Sequence, residues 1–500
     1  MEPTGVAIPS MERPSDSRRL FHWLILLLLI AAGAVNRLLY LARKPFWFDE
    51  SFSVEVARIG WGNFLHLLWW REANMSLYYL LLRIWLHAGL SEYFIRSLSV
   101  AFAVATIPAI YWLGAELYDR RVGLIASALF AFNAYSVRYA QEARSYTLFL
   151  LLATLSSCFL IAWLREPSRK NRIGYVVVSV LAVYAHFYAL LLIAVHWLAL
   201  RRRVRRSKIE IGQLRTAWIS IGIAVLPLLV FVAKTGAGPI KWISRPGLGD
   251  VFAFYEHLAG GATWPLLAVF AAACTTAVLP VAKRLISRDQ GWESWRCRFL
   301  LIWLLFPVAL TVLLSFARPV FLGRYMTFCL PALVVLAAAG LARLRNAWIL
   351  TTALAVMLLL SAQGIAFVYA NDFDSERDAS SEASAFILQH AQPGDAIVFH
   401  IAETRLPYEF FRGERDCPEI IFPIHGSHLD YRDFTGKPTA DLLRAAAGHP
   451  RLWVMLMNNG TAEKPDATTV MLSQVLSEEF PVVERWEFYK VEVRLYRRAQ

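Results

Sequence analysis

Two adjacent acids, Asp49 and Glu50, follow the first long apolar stretch and the run Arg43-Lys44-Pro45-Phe46-Trp47-Phe48. Carboxylates among aromatic residues at the edge of a bilayer are costly to keep there, so this pair indicates a functional site. A carboxylate within hydrogen-bond reach of an attacking hydroxyl can take its proton as a general base. The alternative is that both acids are solvated in a loop.

A second group of polar residues lies between Asn133 and Tyr146, directly before another apolar stretch. With helical spacing, Arg138, Glu142 and Ser145 would share one face, as would Gln141, Arg144 and Ser145. This pattern predicts a polar patch at membrane depth. The alternative is a structural ion pair between Arg138 and Glu142, four residues apart.

Two further residues are candidates for binding. His186 interrupts the apolar stretch 173 to 200 and could ligate a metal ion with Glu50 or Glu142, although a hydrogen-bonded turn histidine is the simpler interpretation. Lys241 lies in the glycine-rich loop 234 to 261, which could cover a phosphate or could be a plain connector.

The composition predicts the elements that position these residues. The chain has 500 residues, of which 57% are hydrophobic and 18% charged, with a mean hydropathy of +0.45, so it is too apolar for a soluble protein. Apolar stretches recur at 21–41, 93–115, 122–134, 145–164, 173–200, 216–233, 263–282, 299–316, 326–342 and 347–369. If the stretch 173–200 turns at His186 to make two short helices, the sequence predicts roughly eleven membrane-crossing helices.

The basic residues predict the orientation. With the N-terminus in the cytoplasm, the groups Arg120-Arg121, Arg165 to Arg172, Arg201 to Lys208 and Lys283 to Arg298 all fall on the cytoplasmic side. The loops carrying Asp49, Glu142 and His186 then face outward. The net charge of +13 is accounted for by these cytoplasmic loops and by attraction to lipid headgroups, so no nucleic-acid partner is predicted.

The composition changes near residue 370. Residues 1–370 carry a net charge of +20, whereas residues 371–500 carry −7. Helical periodicity at 378–391, 439–447 and 468–479 alternates with apolar runs at 396–399, 420–422 and 452–456. The sequence therefore predicts a membrane domain at 1–370 and a small α/β domain at 371–500 on the extracytoplasmic side. The latter has no motif of catalysis, so a binding or supporting role is expected.

Several short motifs occur together in a recognisable order. They are Trp47-Phe48-Asp49-Glu50, Leu77-Tyr78-Tyr79-Leu80-Leu81-Leu82, Glu92 with Arg96, Arg120-Arg121-Val122-Gly123, Gln141-Glu142-Ala143-Arg144-Ser145-Tyr146 and Gly323-Arg324-Tyr325. In this order they resemble the GT-C membrane glycosyltransferases, in particular the bacterial branch of family 39 near the protein mannosyltransferases and the aminoarabinose transferases. The resemblance covers about residues 20 to 345.

The resemblance implies transfer of a sugar from a polyprenyl-phosphate donor on the outer face of the bacterial inner membrane. It implies that Asp49 is the general base and that Glu50 orients it or binds a metal or the acceptor. Glu142 and Arg144 match the second-loop pair near the donor phosphate, and Arg324 matches a late basic residue. The chain departs from the pattern at Asn74-Met75-Ser76, where the family usually has a His-Pro-Pro turn.

The chemistry of the residues is consistent with this resemblance. A departing polyprenyl phosphate gains negative charge, which a fixed guanidinium of Arg144, Arg324 or Arg138 would stabilise. One base and one displacement favour inversion at the anomeric carbon. The acceptor could be a lipid, a protein or a glycan. No cofactor is predicted with certainty, and a divalent metal ion with Glu50, Glu142 or His186 as ligands is the candidate.

A different class of protein fits part of this pattern. A flippase for lipid-linked sugars, or another transporter of a polyprenyl ligand, would also have many helices and internal charges. The sequence shows no inverted repeat, and its acids gather in outer loops rather than along a path through the membrane. A subunit without catalytic activity would leave the Asp49 and Glu142 groups unexplained.

Overall fold

The computed structural model describes residues 16–70, 72–201, 209–235, 243–261, 264–287, 289, 291–371, 377–413, 415–423, 442–457 and 466–498. The first seventeen helices are α1 Asp16–Leu38, α2 Phe48–Arg58, α3 Trp61–Trp70, α4 Ser76–Trp85, α5 Glu92–Leu117, α6 Arg120–Ala131, α7 Ala134–Ala140, α8 Tyr146–Arg165, α9 Arg169–Ala185, α10 Ala189–Leu200, α11 Ile211–Thr235, α12 Leu248–Ala259, α13 Trp264–Val278, α14 Ala282–Ile286, α15 Trp292–Ser315, α16 Leu330–Leu341 and α17 Ala347–Ala370. The remaining elements are α18 Ser380–His390, β1 Ala396–His400, α19 Arg405–Arg412, β2 Glu419–Phe422, α20 Leu442–Ala446, β3 Arg451–Met457, α21 Ala467–Glu479, β4 Val482–Phe488 and β5 Val491–Arg497.

The helices confirm a polytopic membrane protein with a small C-terminal α/β sheet. Within the described residues, eight helical segments are long and apolar enough to cross a bilayer, compared with the eleven crossings predicted. The difference falls on α6, α9 and α10, which have 12, 17 and 12 residues. The predicted break at His186 is confirmed, because α9 ends at Ala185 and α10 begins at Ala189.

The chain divides into two compact units that do not follow a single cut in the sequence. The first unit contains residues 1–39 and 96–370, and the second contains residues 40–95 and 371–500. The segment with α2, α3 and α4 therefore belongs to the same unit as the C-terminal sheet.

The core of the first unit is α16, whose twelve residues are all buried. It packs against α6, α13 and α15. Close approach to α13 requires glycine at position 340, because a Cβ there would lie 1.8 Å from the carbonyl oxygen of Ala273. In contrast, α11 exposes Ile219, Ile223 and Leu226, as expected for a helix that faces lipid.

The second unit is built on a five-stranded sheet in the order β2-β1-β3-β5-β4. The first three strands are parallel, and β4 and β5 pair in antiparallel register with Glu484 opposite Leu495. One face is covered by α18 and α19 through Ile387 and Tyr408, and the other by α20 and α21. The predicted strands at 396–399, 420–422 and 452–456 are confirmed, whereas β4 and β5 were not predicted.

Candidate active site

Arg37 fixes the framework of the second outer loop. This residue is fully buried at the end of α1, and its guanidinium donates to the carbonyl oxygens of Phe130 and Ala131 at 3.2 and 3.0 Å and to Ser136 Oγ at 2.9 Å. The Phe130 carbonyl also accepts the N–H of Asn133 at 3.2 Å, whereas the carbonyl of Ala131, in the last turn of α6, is satisfied by Arg37. Arg37 thereby joins the ends of α1 and α6 to the start of α7.

Gln141 completes this junction from the other side. Its side-chain Nε2 donates to the carbonyl oxygens of Arg37 and Leu39, at 3.2 and 2.7 Å. Because these contacts hold Gln141 against the end of α1, α7 stops at Ala140 and residues 141–145 form turns before α8 begins. The prediction that Arg138, Glu142 and Ser145 share one helical face was therefore wrong.

The turns bury the two ionic residues of the loop. Glu142 and Arg144 are both buried, and the Arg144 amide donates to the carbonyl oxygen of Glu142 at 2.8 Å. Ser99 Oγ of α5 donates to the carbonyl oxygen of Arg144 at 3.3 Å. Arg138, in the last turn of α7, is half-buried with its guanidinium 5.2 Å from the ring centre of Tyr139.

The motif Gly323-Arg324-Tyr325 lies beside this loop. It forms a 3-10 segment, Gly323–Cys329, that packs against α8, and the Tyr135 hydroxyl of α7 donates to the carbonyl oxygen of Gly323 at 2.7 Å. Arg324 is buried. The first unit thus brings together two motifs that are far apart in the sequence.

His186 stands where these motifs meet. Its ring stacks on Phe149 at 5.2 Å and lies 4.8 Å from the ring of Tyr325. The residue lies in the turn outside both α9 and α10 and is 1% exposed. Burial and then the positive charges of Arg144 and Arg324 lower the pKa of His186 to about 3, so the ring is neutral near pH 7.

The hydrogen bonds of His186 determine its tautomer. Nδ1 accepts the backbone N–H of Tyr188 at 3.2 Å, so the single proton of the neutral ring lies on Nε2. Nε2 is buried and makes no hydrogen bond within the described residues. This nitrogen is a fixed donor suited to an oxygen acceptor. The same tautomer argues against His186 as a metal ligand, because neither nitrogen then offers a lone pair.

The two acids of the first outer loop lie in the second unit. They occupy the first turn of α2, where Glu50 is fully buried and Asp49 is half-buried. The buried face of α2 packs against α4 and against α19 of the C-terminal region. The N-cap residue of α2 is Trp47, whose side chain makes no capping hydrogen bond.

Two residues that the sequence did not single out contact the start of α2. Asp378 Oδ2 accepts the backbone N–H of Phe48 at 3.4 Å, and the guanidinium of Arg377 lies 5.9 Å from the ring centre of Trp47. Burial and then the charge of Asp49 raise the pKa of Asp378. The only sequence signal for Asp378 was its place just before the helix that begins at Ser380.

A third acid of α2 is buried in an ionic group. Glu55 is 7% exposed, and its Oε1 accepts from Arg58 at 2.9 Å. Burial raises the pKa of Glu55 to about 7, with Glu409 adding to the shift and Arg58 and Arg405 opposing it. Near neutral pH the charge of this group therefore responds to small changes in pH.

The metal ligands predicted from the sequence, Glu50, Glu142 and His186, stay a prediction. No group of three or more His, Cys, Asp and Glu side chains there could hold a metal ion. Glu50 belongs to the second unit, whereas Glu142 and His186 belong to the first. Lys241, the remaining candidate for phosphate binding, lies outside the described residues.

Solved structures share the architecture of the chain. ArnT from Cupriavidus metallidurans in the apo state aligns with a TM-score of 0.61 at 13% identity, covering 95% of this chain and 98% of that one. ArnT bound to undecaprenyl phosphate aligns at 0.56 and 11% identity, covering 96% and 98%. The apo oligosaccharyltransferase of Archaeoglobus fulgidus aligns at 0.52 and 10% identity, covering 79% of this chain and 64% of that one.

These alignments identify the fold. No protein-family model matches the sequence, and no curated protein sequence matches it either. The chain has the fold of the GT-C membrane glycosyltransferases, which confirms the fold that its motifs predicted.

Proposed function

We propose that this protein is a membrane glycosyltransferase that moves a sugar from a polyprenyl-phosphate donor to an acceptor on the extracytoplasmic face. The observation that carries the proposal is the approach of Arg144 and Arg324 to His186 within a GT-C fold. A structure of similar architecture, ArnT from Cupriavidus metallidurans, is bound to undecaprenyl phosphate, and another similar structure is an oligosaccharyltransferase.

Arg144, Arg324 and His186 would bind the donor phosphate. The C–O bond between sugar and phosphate breaks with its electron pair on the leaving oxygen, so negative charge grows on the phosphate. Two buried guanidinium groups stabilise this charge more in the transition state than in the ground state. The Nε2–H of neutral His186 adds a donor without adding charge. Arg138 and Lys241 are further candidates for this contact.

Asp49 would act as the general base. It takes the proton of the acceptor hydroxyl while that oxygen attacks the anomeric carbon on the face opposite the leaving phosphate, so the product is inverted. Glu50, buried in the same turn of α2, orients Asp49 or the acceptor. Glu142, buried in the turn before α8, would keep the neighbouring polar side chains in place around Arg144. These steps use side chains of the chain alone.

The proposed reaction takes place at the extracytoplasmic face of the inner membrane. The bias of Lys and Arg supports an orientation with the N-terminus in the cytoplasm and the C-terminal domain outside it. The proposed partners are a polyprenyl-phosphate-linked sugar, a lipid, protein or glycan acceptor, and membrane lipids.

Turnover tests this proposal directly. Purified protein in lipid vesicles is given undecaprenyl-phosphate hexoses and pentoses labelled in the sugar, together with lipids extracted from a bacterial envelope as acceptors. We expect release of undecaprenyl phosphate by the wild type and a loss of about 100-fold or more in Asp49→Asn, with the donor KM little changed. Glu487→Gln, an exposed acid of β4, is the control and should turn over normally.

Two outcomes would contradict the proposal at different points. Equal release by Asp49→Asn and the wild type would overturn the assignment of the base. Movement of the labelled lipid across the vesicle bilayer without cleavage, for every donor, would favour the transporter instead.

A further inference from the structure

The helix that carries Asp49 and Glu50 has no cap of its own. The residue at its N-cap position is Trp47, whose side chain offers no oxygen to the first N–H groups of α2. Asp49 and Glu50 lie in this first turn. A side-chain acceptor for the first N–H group of this turn must therefore come from outside the helix.

The C-terminal domain supplies the missing acceptor. Asp378, 330 residues later in the sequence, accepts the N–H of Phe48 through Oδ2 at 3.4 Å. Its other oxygen, Oδ1, accepts the N–H of Ser380 at 3.0 Å at the start of α18. One buried carboxyl group therefore serves the N-termini of two helices, α2 and α18. Fixing one of these helices through this group also fixes the other.

Neighbouring contacts hold the same turn. Phe46 stacks on Phe410 of α19 with ring centres 4.8 Å apart, and the guanidinium of Arg377 lies over Trp47. Phe48 packs at the edge of the apolar cluster formed by α18 and the sheet. The three aromatic residues directly before Asp49 therefore pack against the C-terminal domain by ring stacking, a cation–π contact and apolar contact.

We infer that Asp378 is a positioning residue for Asp49, and that the C-terminal domain orients the catalytic turn through this contact. The inference rests on the proposed function of Asp49, although the contacts of Asp378 do not. A displacement of about 1 Å at a reacting group can cost on the order of 100-fold in rate, so a cap supplied from a distant part of the sequence can govern kcat.

Substitutions at Asp378 test the role of its two acceptor oxygens. Asn offers a single acceptor oxygen and an NH2 group that cannot accept, so one of the two N–H groups of Phe48 and Ser380 loses its partner. Ala removes both acceptors, whereas Glu keeps two oxygens on a longer side chain. If Asp378 positions the turn, kcat should fall about 10- to 100-fold in Asp378→Asn and Asp378→Ala, with the donor KM little changed and partial recovery in Asp378→Glu.

The matched control is Asp466 of the same domain. It caps α21 by accepting the N–H of Thr468 at 2.9 Å, and its other oxygen accepts the Thr469 hydroxyl. Asp466→Ala therefore removes a capping carboxylate without touching α2. We expect Asp466→Ala to keep the wild-type kcat. An equal fall of kcat in Asp466→Ala and Asp378→Ala would show that general weakening of the domain is the cause and would overturn the inference.

Hydrogen exchange gives a readout that needs no turnover. Mass spectrometry of the peptide covering residues 46–58 in the full-length protein should show faster exchange at the start of α2 in Asp378→Asn and Asp378→Ala but not in Asp466→Ala. Unchanged exchange in both Asp378 variants would refute the positioning role whether or not the protein turns over. Faster exchange together with no turnover by the wild type on any donor would instead refute the proposed function and leave the cap established.

Discussion

The buried acid Glu55 makes the stability of the second unit depend on pH. Burial raises the pKa of Glu55 from 4.5 to about 7, so the folded protein holds this proton more tightly than the unfolded chain does. The corresponding stability is fully present below pH 4.5 and is lost as the pH rises through about 7. At 1.36 kcal/mol for each pKa unit, the group accounts for about 3 kcal/mol between pH 4.5 and pH 8.

Glu55→Gln tests this value because glutamine has nearly the same shape and stays neutral at every pH. The variant gives up the ionic contact with Arg58 at 2.9 Å, which is partly exposed and contributes little. We expect the variant to lose about 3 kcal/mol of the pH dependence of the wild type, with the greatest relative gain in stability near pH 8.

Hydrogen exchange in α2 of the full-length protein is the measurement, made at pH 5 and pH 8 and corrected for the intrinsic dependence of amide exchange on pH. Protection in the wild type should fall on the order of 100-fold more than in Glu55→Gln. Glu484→Gln is the control, because that acid is about 42% exposed and pairs with Arg497 at 2.7 Å on the outside of the sheet. If Glu55→Gln and the wild type lose protection equally between the two pH values, the argument from burial is wrong.

Three further substitutions test the framework of the first unit, each by thermal unfolding in detergent. Gly340→Ala should destabilise strongly because its Cβ would lie 1.8 Å from a backbone oxygen of α13, whereas Gly222→Ala, with no atom within 4 Å and inside α11, should be neutral or slightly stabilising. Arg37→Met should cost about 1–3 kcal/mol, since it leaves the buried carbonyl of Ala131 without the Arg37 donor; a neutral result would contradict that role. Tyr135→Phe should cost about 1 kcal/mol by removing the 2.7 Å bond to Gly323, and an unchanged melting temperature would show that this bond does not hold the Arg324 segment.

Periodicity was sufficient to predict most of the elements. Runs of apolar residues located the long helices, because a membrane span must be apolar along its whole length. The break at His186 was also predicted, since a polar residue interrupted a stretch longer than one span. In the C-terminal domain, the buried strands β1 and β3 are continuous apolar runs and were found. The strand β5 begins with alternating apolar and charged residues, whereas β4 places Glu484 and Arg485 side by side and lacks a regular alternation.

Contacts over long sequence distances could not be predicted in the same way. Nothing local in the sequence indicates that Arg37 binds the end of α6 or that Asp378 binds the start of α2. The turn at 141–145 was predicted as helix. The side chain of Gln141, at the end of α7, instead donates to the carbonyl of Leu39, directly after α1, and no local sequence pattern indicates this contact. Arg144 and Arg324 were identified by motif. The tautomer of His186 depends on a hydrogen bond from the Tyr188 backbone, which the sequence does not indicate.

The second unit is built from two segments that are far apart in the sequence, residues 40–95 and 371–500, and this has a consequence for biosynthesis. The ribosome makes residues 40–95 early, but Asp378 and helix α19, which packs against α2, emerge only after the intervening spans have been made. During translation the apolar face of α2, including Val54 and Val56, must be shielded by lipid or by a chaperone until the C-terminal region has been made. A nascent chain stalled before residue 378 would therefore already have its membrane helices inserted. Its α2 helix, which carries Asp49, would still lack the contacts with Asp378 and α19.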